Sequence, residues 1–324
     1  MVEDLDKILA LAERFEYSPF MVKQIMKNFP QDYVTVLKAF AQPAPETIRI
    51  NTLKITPKEL KARLEAKGFK LTPVDWLDYA FHVDSSQSRH TLGATHEYLK
   101  GLYYIQSLGS MIPVHLLYPK PGDQVLDMCA APGSKTTQIA QYMQNQGQIV
   151  AVDIKHSRLS SLISNLRRMD VRNAIVFAYD ATKLYIQQLG KFRPNKILLD
   201  APCTGSGIIR QDPSVKRVKN DSKIQRLRQQ QKQLLKAGLK LLTKGGTLVY
   251  STCSFHYQEN EMLIAEVVKD VKNVEIIEPQ ENIGVPGFSE VENLEFGYDM
   301  LKTRRLTPHL HNTDAFFCCI LRKN

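Results

Sequence analysis

The chain has 324 residues, 43% of them hydrophobic, enough for one large domain or two modest ones around a sizeable core. No run approaches eighteen apolar residues, so no membrane span is expected, and the acidic start Met1-Val2-Glu3-Asp4-Leu5-Asp6 lacks a signal-peptide pattern. Five irregularly spaced cysteines argue against a disulfide framework and for a reducing, cytoplasmic setting, and no Cys/His cluster has zinc-ligand spacing, so no metal is expected.

In chain order, the first forty residues read as helical: Leu5, Ile8, Leu9, Leu11 and Ala12 mark one face, and Val22, Ile25 and Met26 another. Pro43 and Pro45 close this region. Residues 47–53 then read as a strand, 56–67 as a helix capped by Thr56 with Pro57 at its first position, and 69–74 and 79–83 as strands. Together they predict a small α+β module over residues 1–104, followed by a connecting helix at 106–117.

From residue 121 the pattern changes. Strand-like runs at 124–129, 148–154, 174–179, 196–200 and 247–253 alternate with helical segments at 134–143, 157–169, 222–242 and 259–269. That alternation predicts an α/β domain over residues 105–324, a Rossmann-like, mostly parallel sheet with helices on both faces. Runs at 274–277 and 315–321 complete seven strands, with Cys318 and Cys319 packed in the last. Residues 287–308 are too many for a plain connection and predict a functional loop or a small structure of their own.

The net charge of +10 is unevenly placed. Residues 204–244 hold eleven Lys/Arg against Asp212 and Asp221, whereas residues 1–100 are close to neutral and the tail from 245 is acidic. A phosphate-binding flank is one reading. The other is a solvated helix face, since Lys232, Lys236 and Lys240 recur every fourth residue. The irregular stretch from Arg210 to Lys219, broken by Pro213, favours the first.

Ligands of open α/β sheets bind beyond the carboxyl ends of the strands. The first such strand runs into Cys129, Ala130, Ala131, Pro132, Gly133, Ser134 and Lys135, small residues ahead of a helix start that offers free N–H groups. It is neither a dinucleotide fingerprint nor a Walker loop. Asp127, Asp153 and Asp180 mark three successive strand ends. Each alone reads as a loop cap. As a set beside the small-residue turn they favour an adenosine-containing ligand held without a phosphate clamp, and S-adenosylmethionine fits that description.

Two thiols follow the next strands: Cys203 in Asp200-Ala201-Pro202-Cys203-Thr204-Gly205-Ser206-Gly207, and Cys253 in Tyr250-Ser251-Thr252-Cys253-Ser254. A cysteine thiolate is a strong nucleophile that can attack carbon 6 of an electron-poor pyrimidine. Carbon 5 then becomes nucleophilic enough to take a methyl group from a sulfonium, and Asp200 stands where an acid or hydrogen-bond partner of the base edge is needed. His115, His156 and His256 have no Ser/His/Asp partners and read as surface or packing. Motif shape alone leaves open which cysteine attacks.

At these residues the chain resembles the Sun-type (NSUN) family of RNA 5-methylcytosine methyltransferases. The resemblance covers residues 127–135, Asp153 with Arg158, Asp180, 200–207, 250–254 and Glu259-Asn260-Glu261, and reaches upstream to 48–53 and 106–111 and downstream to 305–317. It implies that Cys253 is the nucleophile and that Cys203 assists breakdown of the adduct. It implies that Asp200 bonds the cytosine close to the cofactor. The backbone of residues 129–135 with Asp153, Arg158 and Asp180 would hold S-adenosylmethionine. The α+β module would bind RNA, guided by a patch of Arg49, Lys54, Lys58 and Lys61. The compact chain favours tRNA, with ribosomal RNA the alternative substrate. A rival of another class is an RNA-assembly factor that keeps the fold without the activity.

Overall fold

The computed structural model describes residues 2–324, with the backbone alone at residues 2–4 and 186; Met1 of the acidic start lies outside the described residues. The chain forms two compact units that alternate along the sequence. One comprises Met1–Ala44, Ala201–Lys236 and Val249–Asn324, the other Pro45–Asp200 and Ala237–Leu248.

The second unit opens with a four-stranded antiparallel sheet in the order Lys70–Val74, Leu77–Asp84, Glu46–Ile50, Tyr103–Ile105. The helix Pro57–Glu65 packs beside it. Thr56 accepts from the Glu59 amide while the Glu59 carboxylate accepts from the Thr56 amide, a full capping box, and Pro57 occupies the first position as expected. Ile48, Ile50, Leu60, Leu64, Phe69 and Tyr103 form its core.

Four parallel strands follow, in the spatial order Lys196–Asp200, Gln124–Asp127, Gln148–Asp153, Ala174–Ala178. The helices Ser134–Tyr142 and His156–Arg168 connect them. Because these strands run the same way, Asp127, Asp153, Asp180 and Asp200 all fall at or just past the carboxyl ends. Arg49 corrects the expected surface patch. It is fully buried, with Nε donating to Gln106 Oε1 at 2.9 Å and Nη2 to Thr137 Oγ1 at 2.6 Å, and Nη1 bonded to Gln141. Burial lowers its pKa to about 10. Its partners Thr137 and Gln141 belong to the helix Ser134–Tyr142, so the guanidinium points inward and cannot grip a surface ligand.

In the first unit three helices, Val2–Phe15, Pro19–Asn28 and Tyr33–Phe40, pack into one core. Met21, Val22, Ile25, Leu37 and Phe40 meet Ile209, Val215, Phe255 and Ala315 from far along the chain. The antiparallel strands Val274–Ile277, Arg304–Leu306 and Phe316–Lys323 belong to this unit, with Val285–Pro286 paired to Arg304–Leu306. Cys318 and Cys319 are buried in the last long strand. The strand Thr247–Thr252 starts in one unit and ends in the other.

Among the described residues the first unit adds two strands to the seven expected, and its strands pair antiparallel. The added pair, Val285–Pro286 and Arg304–Leu306, comes largely from the stretch read as a loop. At two and three residues they are too short to show a period of two. Position there is set instead by Arg305, which is buried and donates from Nε and Nη2 to the two oxygens of buried Glu261 at 2.6 Å each. Among the described residues no helix is long and apolar enough to cross a membrane, and no three potential metal ligands cluster.

Candidate active site

The small-residue turn is built around Asp153. Its Oδ2 accepts from the Ala131 amide at 3.0 Å and its Oδ1 from the Lys155 amide at 2.9 Å. Arg158 donates to the Ala131 carbonyl and stands 3.7 Å from Asp153 Oδ2. Gly133 has φ +104°, a backbone conformation that a side chain would strain, and from it the helix Ser134–Tyr142 starts. Lys135 acts through its side chain as well as its backbone: Nζ donates to Asp200 Oδ2 at 2.6 Å and to Ser110 Oγ at 3.0 Å.

Asp127 is buried, with Oδ2 accepting from Thr136 Oγ1 at 2.7 Å and Oδ1 without a partner. Burial, aided by Asp200, pushes its pKa up to about 7. Asp180 caps its own turn, its Oδ1 accepting from the Thr182 amide at 3.0 Å and hydroxyl at 2.7 Å. Cys129 sits among Asp127, Asp153 and Asp200, and burial with those charges raises its thiol well above the usual range. It therefore stays protonated and is a poor nucleophile. The turn offers carboxylate acceptors, an orphaned buried oxygen and closely approachable backbone, a set that fits the ribose, amino and ammonium groups of S-adenosylmethionine.

The two thiols are held by a different device. Cys203 Sγ and Cys253 Sγ are 3.3 Å apart, both half-buried and both free. Gly207 makes this approach possible. Its amide donates to the Cys253 carbonyl at 2.9 Å and its carbonyl accepts from Ala315 N at 3.1 Å. A Cβ on Gly207 would fall 2.1 Å from the Ala315 carbonyl oxygen. Beneath both loops lies Glu259, fully buried. It accepts from the Thr204 amide at 3.0 Å, the Thr204 hydroxyl at 2.6 Å, Gln231 Nε2 at 2.9 Å and Ser254 Oγ at 2.6 Å. One carboxylate thus fixes the residue after each cysteine. Asn260 adds a clamp, accepting from Thr252 Oγ1 at 2.6 Å and donating to the Ser254 carbonyl at 2.9 Å. The bond to Cys253, then burial, raises the Cys203 thiol well above its usual range, so Cys203 keeps its proton. A protonated thiol beside a second sulfur can donate a hydrogen bond to it.

The description of the 16S rRNA methyltransferase RsmB/F family matches residues 114–322, and that of the N-terminal domain of the 16S rRNA methyltransferase RsmF matches residues 19–108. The chain belongs to the RsmB/F family. Against the 26S rRNA (cytosine-C(5))-methyltransferase nsun-1 of Caenorhabditis elegans it is 38% identical, over 97% of this chain and 47% of that protein. The chain spans about half the length of the curated relatives it matches. A solved methyltransferase homolog protein from Pyrococcus horikoshii is 36% identical with a TM-score of 0.86, covering 98% of this chain and 99% of that one. The NSun6 structure from the same organism, solved with the S-adenosylmethionine analogue SFG, is 26% identical with a TM-score of 0.82, covering 94% of this chain and 97% of that one. RsmB/F proteins are methyltransferases of the S-adenosylmethionine-dependent kind, and the Rossmann-like fold expected for them is the one observed.

Within this RsmB/F chain the structure brings the expected residues into two groups. Asp127, Asp153, Arg158, Lys135 and Asp200 gather in one unit, and Cys203 with Cys253 in the other. The sequence marks Glu259 and Asn260 only as part of a family segment, Ser254 only as a motif neighbour of Cys253, and Gln231 not at all. A carboxylate seven residues past one strand end carries no local signal of where it points; its place is visible only with Thr204 and Ser254 around it.

Proposed function

We propose that the chain is an RNA cytosine-5 methyltransferase acting on ribosomal RNA. The observation that carries the reading is the thiol pair, Cys203 and Cys253, 3.3 Å apart on one carboxylate platform. Family membership and the ribosomal names of the relatives support it. The expectation of tRNA rests on compactness and the lack of ribosome-specific extensions, and the ribosomal names of the relatives favour the alternative.

In this reading Cys253 attacks as thiolate, forming an Sγ–C6 bond to the cytosine. Cys203 holds its proton beside that sulfur. Asp200, oriented by Lys135, receives the base edge. Residues 129–135 with Asp153, Arg158 and Asp180 would hold S-adenosylmethionine, which would supply the methyl group for C5. Loss of the C5 proton to solvent restores the C5–C6 double bond, breaks the Sγ–C6 bond and returns the Cys253 thiolate, with Cys203 assisting release. Residues 1–104 would serve RNA binding and residues 105–324 the chemistry, a functional division distinct from the compact units of the fold.

The test is methyl transfer from labelled S-adenosylmethionine to unmodified ribosomal RNA and, in parallel, to tRNA. Label in ribosomal RNA is expected. Label in tRNA alone would restore tRNA as the substrate. RNA binding with no transfer to either would favour an assembly factor.

A further inference from the structure

The structure sorts the basic stretch between Arg210 and Lys219 into two kinds of cation. Arg210 is occupied within the fold, donating to the Gln42 carbonyl at 3.0 Å, to the Pro43 carbonyl and to Asn312 Oδ1 at 3.0 Å. Lys216 donates to the Phe15 carbonyl at 3.4 Å and lies 4.9 Å over the Tyr17 ring. Arg217 and Lys219 differ. Both are exposed, and among the described residues neither has a hydrogen bond or ion pair.

These two free cations line a cavity of about 560 Å³ with Glu16, Tyr17, Ser18, Pro19 and Phe20. That size lies within the range of small-molecule and nucleotide sites. The walls are fixed to one another: the Ser18 amide donates to the Lys216 carbonyl at 2.9 Å, and the Ser18 hydroxyl to the Val218 carbonyl. Ser18 also caps the helix Pro19–Asn28, so the cavity takes in the amide end of a ten-residue helix, where the dipole favours an anion. Phe20 is half-buried and leaves part of its ring uncovered. Tyr17 is 6% exposed, and its hydroxyl has no partner, an unusual state for a buried donor. Glu16 is the one carboxylate present, against two cations.

Cations, a helix amide end and an aromatic ring around one cavity are the elements that hold a single-stranded nucleotide. We propose that this cavity is a subsite for one unpaired nucleotide of the RNA substrate, with the phosphate on Arg217, Lys219 and the helix end and the base on Phe20. The proposal rests on the RNA-methylation reading above. It makes the helical start of the chain, together with residues 217–219, a substrate-positioning surface within the unit that carries Cys203 and Cys253.

The test uses the full chain with a fluorescein-labelled single-stranded RNA of mixed sequence, and methylation of an unmodified ribosomal RNA transcript. R217A/K219A should weaken binding about tenfold and lower the slope of log affinity against log salt by about 1.4, the value for two single-strand phosphates. KM should rise while kcat at saturating RNA holds. F20L, which keeps the apolar packing but loses the ring, should weaken binding about tenfold with an unchanged salt slope. K244A/K272A removes the same charge from exposed lysines elsewhere and should change neither. If wild type binds and methylates RNA while R217A/K219A matches it, or K244A/K272A loses as much as R217A/K219A, the subsite is overturned and the function stands. If wild type binds no RNA, the functional reading falls and the subsite with it.

Discussion

Two buried carboxylates, Asp127 and Glu259, show how differently the two regions of this protein use the same group. Glu259 accepts four hydrogen bonds from the chain itself. Asp127 accepts from Thr136 with one oxygen and leaves the other bare. Burial raises the pKa of both groups; bonds from Ser254, Thr204 and Gln231 oppose the shift at Glu259, and bonds from Thr136 and the Cys129 backbone oppose it at Asp127. A saturated carboxylate is a positioning device; an unsaturated one beside a small-residue turn is a reserve for a ligand. The thiol region is therefore organised before any substrate arrives, whereas the strand-end region keeps polar capacity open.

The largest effect separates the two thiols. C253A should abolish turnover and any covalent RNA adduct, while C203A should slow turnover and let adduct accumulate, read on a denaturing gel with labelled RNA. The reverse pattern would exchange the two roles and break the asymmetry argued from the raised Cys203 thiol.

Next is the platform. E259A leaves four donors unanswered in a dry site and should cost on the order of 3–5 kcal/mol in urea unfolding. E259Q should cost less, since the amide oxygen still accepts. A loss under about 1 kcal/mol for E259A would show that the cysteine loops hold themselves.

The strand-end reserve should appear as a pH effect. Asp127 ionises near pH 4 when unfolded and near 7 when folded, so its contribution to stability is complete below about pH 4 and disappears as pH rises through 7. Wild type should therefore lose stability relative to D127N between pH 5 and pH 8, by a few kcal/mol in paired urea titrations (~2–4). Parallel pH curves would mean that the buried carboxyl does not titrate in this window.

The smallest effect concerns charge at the surface. Arg228, Lys232 and Lys236 pair with Glu266 and Asp270 on the neighbouring helix, and these side chains are partly exposed. E266Q should cost under about 1 kcal/mol in the same assay and less at high salt. A cost near that of E259A would erase the distinction between platform and surface.

The same pairs answer the question that the basic segment posed. Spacing every fourth residue points to one helix face, and Lys232 and Lys236 of that face are matched by acids of another helix. The irregular stretch offered no such period, and there the fold divides its cations: Arg210 and Lys216 turn inward onto carbonyls, and Arg217 and Lys219 remain outside. Sequence could count these charges but could not assign them, because the carbonyls of Phe15, Gln42 and Pro43 lie some 170–200 positions away.

By itself the sequence determined the parallel strand–helix alternation, the acids and thiols at successive strand ends, the Thr56 cap and the resemblance that named a chemistry. All of these are local patterns, written in neighbouring residues and in the order of elements. Tertiary structure alone decided that Arg49 is a buried tie rather than an RNA contact, that short strands from residues 285–306 join the sheet, and that Glu259 lies under both cysteine loops. Each of those depends on desolvating a polar group against partners distant in the chain, and the energy of such a group is set by what surrounds it, not by what precedes it.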